Sequence, residues 1–168
     1  MSDTADFWIA QLQLQPHPEG GFFKEVYRSE EKISADFLST RYQAERCFAT
    51  SIYFLLKSGQ ISAFHRLQSD EIWHFYTGSP IRVYIIDQAG VLSETLLGPD
   101  VLNKEVFQLV IPHGCWFAAE VTREDSYSLI GCTVAPGFDF HDFELATKAG
   151  LTACFPAYSG LFEKMCIR

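Results

Sequence analysis

The chain has 168 residues, 48% of them hydrophobic, 15% aromatic and 20% charged, enough apolar material for a packed core and unlike a disordered segment. Its formal charge of −8, with basic residues scattered singly, gives a phosphate backbone nothing to bind, so no nucleic-acid partner is expected. The longest apolar run, Ile52 to Leu56, is far too short for a membrane helix, and no basic stretch leading into an apolar run marks a signal peptide.

In chain order, Phe7, Trp8, Ile9, Leu12 and Leu14 predict a short amphipathic helix with Asp3 or Thr4 as its cap, broken by Pro16, Pro18, Gly20 and Gly21. Nine β-like runs follow, over 22–28, 47–56, 61–67, 71–76, 81–86, 91–96, 106–111, 115–120 and 127–135. Turn-forming Gly, Pro, Asp and Ser separate them, and no helix intervenes. That spacing predicts an all-β sandwich or barrel within one domain spanning 1–168. A helix is expected over 142–149 with Asp142 near its start, and one further helical turn beyond 151. Ile52 to Leu56 is apolar on both faces, whereas a strand of an open sheet alternates. A subunit interface over its outer face, and so a homodimer, is expected. Five widely spaced cysteines form no CxxC pair and read as small core hydrophobes in a reducing, cytoplasmic compartment.

His65 and Glu71 fall on consecutive strands joined by a tight turn, so both side chains can enter one cavity. They read either as a structural hydrogen-bonded pair or as an acid–base pair, the carboxylate fixing the imidazole tautomer. The segment around them is Gly59, five residues, His65, then Leu67, Glu71, six residues and Gly78. It resembles the first motif of the cupin superfamily. Pro112-His113-Gly114 resembles the second motif.

The runs Leu14 to Phe23, Ser69 to His74 and Gly131 to Ala146 extend the likeness to an uncharacterised bacterial and fungal cupin family. The resemblance implies a double-stranded β-helix (a jelly-roll barrel), a dimer and a pocket in the barrel. Metal-binding cupins use three histidines and a glutamate, but here Leu67 and Phe117 stand at two of the histidine positions. His65 and Glu71 would be the ligands of any divalent metal, with His74 and His113 as further donors. Two ligands are too few for a firm site, and no cofactor is expected.

Asp139 either pairs with His65, as in metal-free sugar epimerases of the superfamily, or caps the following helix. Tyr53, Trp73, Trp116 and Phe117 either line a slot for a ring-shaped ligand or fill the core. His17 reads as a loop residue and Arg28 as half of a surface ion pair. Three functions remain open. The first is a metal-independent isomerase or epimerase with His65 as base and Glu71 or Asp139 as its partner. The others are a non-enzymatic small-molecule-binding barrel and a metal-dependent cupin enzyme with an incomplete ligand set.

Overall fold

Alternation along a strand sorts side chains into two sets, and in the central strands over Thr50–Lys57 and Ile81–Ile86 both sets are largely apolar. The computed structural model describes residues 4–167. Its strands are β1 (Gln15–Pro16), β2 (Phe22–Arg28), β3 (Lys32–Ile33), β4 (Arg46–Cys47), β5 (Thr50–Lys57), β6 (Ile61–Arg66), β7 (Asp70–Gly78), β8 (Ile81–Ile86), β9 (Leu92–Leu97), β10 (Gln108–Ile111), β11 (Trp116–Val121), β12 (Tyr127–Ala135) and β13 (Glu144–Leu145). Helices α1 (Ala5–Leu12), α2 (Lys148–Cys154) and α3 (Ser159–Met165) sit at the ends of the chain.

One sheet runs β1-β2-β5-β12-β7-β10 and the other β13-β6-β11-β8-β9, and all their strand pairs are antiparallel. Between them Phe54, Trp73, Val83, Ile85, Ile111, Phe117 and Ile130 form the barrel core. Outside the second sheet, α2 and α3 place Leu151, Phe162 and Met165 on Phe64, Tyr84 and Ala118.

The outer face of β5 is covered from within the chain. Leu55, with Leu129 of β12, packs under Leu14, Trp8, Ile9 and Leu12 from α1 and its C-terminal turn. The two-sided apolar run of β5 therefore has an intramolecular explanation and does not call for a second subunit there. Helix α1 starts where the sequence suggests, with Thr4 Oγ1 accepting from Phe7 N at 3.2 Å; Asp3 lies outside the described residues.

The expected helix over 142–149 is absent. Asp142 ends a 3-10 turn (Phe140–Asp142), and the next residues pair as β13 with β6. Ala146 N is taken by Phe64 O at 2.8 Å, so this backbone cannot be helical. The helix starts later, capped by Thr147 Oγ1 on Gly150 N at 3.1 Å, and a further helix, α3, follows. The run over 47–56 divides into β4 and β5, and the run over 106–111 shortens to β10.

Candidate active site

A β-bulge sets the floor of the site. His65 faces Phe117 across β6 and β11, yet Ala119 faces Ser62, so one extra residue enters β6 between them. Ser62 and His65, three apart, consequently both point into the barrel. The backbone freed by the bulge is satisfied by the site itself: Ala63 N donates to Glu19 O at 2.8 Å, and His65 Nδ1 lies 2.7 Å from Ala63 O.

Glu19 reaches this floor because two glycines precede β2. Gly20 has φ +110°, and a Cβ there would stand 2.1 Å from Ile61 O; Gly21 has φ +70°. The chain can therefore cross the barrel edge close enough for Glu19 Oε2 to lie 3.0 Å from His65 Nε2, while Ser62 Oγ donates to Oε1 at 2.8 Å. A carbonyl only accepts, so His65 Nδ1 carries the proton given to Ala63 O. The contact between Nε2 and Oε2 then needs one proton. Burial lowers His65 to about 3 and raises Glu19 well above its ordinary value, a rise to which Glu71 adds. Both shifts favour the pair in its neutral form, with the proton on Glu19 and a neutral His65 accepting it. His17 completes the group, its Nδ1 3.4 Å from Glu19 Oε2 and its pKa lowered by burial to about 4.

Glu71 enters the same cavity from β7. It is 7% exposed, and burial pushes it up to about 7, partly offset by Trp73 and Cys132 beside it. Its Oε2 and the neighbouring Trp73 Nε1 are both buried without a well-aligned hydrogen-bond partner. Cys132 is buried too, and burial with the nearby carboxyls keeps its thiol protonated. The cavity, about 80 Å3, is walled by Phe23, Phe54, Leu67, Trp73 and Val134, and Phe138, Phe140 and Phe143 stand at its mouth. A second bulge, at Val26 of β2, turns both Glu25 and Arg28 toward that mouth, where they form an ion pair at 2.7 Å.

The structure thus brings together His65, Glu71 and Trp73 and adds His17 and Glu19. Phe117 packs behind the His65 ring, centroids 4.0 Å apart, in the core and not on the cavity wall. Tyr53 does not reach the cavity; neighbouring Ile52 and Phe54 face inward, leaving Tyr53 beside Tyr76 on the outer face. Trp116 also points outward, under the guanidinium of Arg66 at 4.4 Å. Asp139 is not paired with His65. Its Oδ1 accepts from His141 N at 2.9 Å, a cap for the 3-10 turn, and His141 holds its carboxyl below the usual range. His113 lies 2.8 Å from Asp70 and His74 lies 3.0 Å from Gln108, both away from the cavity.

A family model described as Cupin superfamily (DUF985) matches residues 6–146. The chain belongs to the cupin superfamily. A solved structure of a hypothetical protein from Leishmania major is 36% identical over 98% of this cupin and 99% of that chain, with a TM-score of 0.89. Protein SO0799 from Shewanella oneidensis is 38% identical over 99% of both chains, with a TM-score of 0.87. The uncharacterized yeast protein YML079W from Saccharomyces cerevisiae is 31% identical over 144 residues, 80% of this cupin and 71% of that protein. Metal is common in this fold, but the donors here do not fit one. Leu67 and Phe117 fill two ligand positions, His65 Nε2 is engaged by Glu19, and no group of three or more His, Cys, Asp or Glu among the described residues is arranged to hold an ion. No helix among the described residues is long and apolar enough to cross a membrane.

Proposed function

We propose that this cupin binds a small molecule in the barrel and moves a proton on it without a metal, as an isomerase or epimerase does. One observation carries the reading: two carboxyls, Glu19 and Glu71, share one largely apolar cavity in which burial raises both. Glu71, near 7, is available as a carboxylate at neutral pH, whereas Glu19 keeps its proton and hydrogen-bonds a neutral His65. Glu71 is the base and takes a C–H proton from the bound molecule. Glu19, oriented by His65 and Ser62, is the acid and returns a proton to another position. The single negative charge of the site then passes from Glu71 to Glu19, and proton exchange with solvent resets it. His65 positions the acid instead of acting as the base itself.

The test does not require the product. Candidate small cyclic hydroxy-carbonyl compounds, lactones and lactams are incubated with protein in D2O, and proton NMR follows loss of a C–H signal. Exchange that needs Glu71 and falls at least about a hundredfold in Glu71→Gln supports the reading. Compounds that bind tightly without any exchange would leave a non-enzymatic binding barrel.

We further propose a homodimer, built on the outer face of the six-stranded sheet beyond α1, where Tyr76 and Val110 are half-exposed near Ile72 and Thr133. Light scattering at micromolar concentration checks it, and a monodisperse monomer contradicts it. Five cysteines, all unpaired, suit a cytoplasmic location.

A further inference from the structure

Cavity chemistry narrows what this cupin takes. Among the described residues, buried side-chain polar atoms without a well-aligned hydrogen-bond partner are few, and two of them share one edge of this cavity: Glu71 Oε2 and Trp73 Nε1, which lie close enough for the indole N–H to favour the carboxylate but are not aligned with each other. Both residues are more than nine-tenths buried, and as i and i+2 neighbours on β7 they point the same way. Leaving a buried donor or acceptor unsatisfied is costly, so such a pair marks where a ligand supplies the missing partners. The indole N–H can only donate, and the carboxylate can only accept. The complementary ligand edge therefore carries an acceptor beside a donor.

Charge decides between ligand classes. A carboxylate ligand would enter beside Glu71 and Glu19, and the only Arg or Lys lining the cavity among the described residues, Arg28, is at its mouth and already bound by both Glu25 oxygens. An ammonium would suit Glu71 and the phenylalanine walls, but it offers only donors and leaves Trp73 Nε1 unmet. An uncharged ligand meets both. Size agrees, since a cavity of about 80 Å3 lined by aromatic rings has room for a small ring.

We propose that the cavity recognises the cis edge of a small uncharged ring, the N–C=O of a lactam or the equivalent O–H/C=O edge of a cyclic enol or hydroxy-lactone. Its oxygen accepts from Trp73 Nε1, and its N–H or O–H donates to Glu71 Oε2. This deepens the proton-transfer reading by naming the substrate class at the same carboxylate, and it stands or falls by binding alone.

The experiment uses three rings of one size against the whole protein: 2-pyrrolidone (acceptor and donor), γ-butyrolactone (acceptor only) and pyrrolidine (cationic donor only). Affinity is read from 1H–15N spectra of the three tryptophan indole N–H groups, with the Trp73 signal assigned as the one that survives both Trp8→Phe and Trp116→Phe. The expected result is millimolar 2-pyrrolidone binding, roughly tenfold tighter than either analogue, with a downfield shift of the Trp73 N–H. In Trp73→Phe the preference over pyrrolidine collapses; should that variant not fold, the indole shift in the native protein carries the test alone. Equal binding of lactone and lactam, tightest binding of pyrrolidine, or no binding of any ring overturns the proposal. Tight lactam binding without C–H exchange keeps this ligand class and removes the enzymatic reading. C–H exchange on a compound lacking the paired edge does the reverse.

Discussion

Replacing Glu71 by glutamine should stabilise the protein, and increasingly so as pH rises. The carboxyl goes from an ordinary 4.5 to about 7 on folding. A raised acid means that the folded state holds the proton more tightly, so stability falls as pH climbs from about 4.5 to about 7 and stays reduced above. At about 1.4 kcal/mol per pH unit over that interval, ionised Glu71 costs the fold about 3 kcal/mol at pH 8.5, most of it still absent at pH 5. Glutamine keeps the shape and cannot ionise. Its own desolvation is independent of pH and cancels when two pH values are compared. For a chain of this length about 1 kcal/mol moves Tm by 2–4 °C, so the advantage of Glu71→Gln should widen by about 5–10 °C between pH 5 and 8.5. Differential scanning fluorimetry across that range reads it directly. A Tm difference independent of pH would mean that the Glu71 charge is already satisfied, and the argument for a poised base would fail.

The other perturbations test separate parts of the architecture. Gly20→Ala forces a Cβ against Ile61 O at positive φ and should cost at least about 2 kcal/mol by urea denaturation; a loss below about 0.5 kcal/mol would show that the close crossing is not needed. Arg46→Ala leaves Asp142 buried opposite nothing, after removing contacts of 2.7 and 2.6 Å, and should cost about 3–5 kcal/mol, with much of it recovered by Arg46→Met/Asp142→Leu. No recovery in the double variant would place the loss in packing instead of charge. Trp116→Phe should leave ligand affinity in the barrel unchanged within about twofold, because Trp116 lies outside it; a larger effect would contradict its placement.

The sequence carried the barrel well and its inner wall less well. Strand positions were legible because β-branched and aromatic runs alternate with Gly and Pro turns, and His65, Glu71 and Trp73 keep the inward direction that period-two alternation assigns. Ser62 broke that period because a bulge, which leaves no mark in the residue types, inserts between it and His65. Glu19 was hidden differently. It reads as loop sequence, and only the crossing at Gly20 and Gly21 reveals why glycines follow it; the His-Pro-Glu-Gly-Gly run was the available signal.

Of the two readings open for Asp139, pairing with His65 or capping, its contacts fit the second. Asp139 does cap, yet it caps a 3-10 turn, and the α-helix waits for Thr147. For β5, two apolar faces led to the expectation of a subunit interface, whereas α1 of the same chain supplies the cover. Phe138, Phe140 and Phe143 were unassigned because a loop gives no period from which to infer direction.

The most direct measurement of the central claim is a 13C NMR titration of the glutamate side-chain carboxyls between pH 3 and 10. The account predicts one carboxyl, lost in Glu71→Gln, with a midpoint near 7, and a second, lost in Glu19→Gln, that remains protonated through neutral pH. Two ordinary midpoints near 4.5 would contradict it, since the cavity would then hold neither a poised base nor a retained acid.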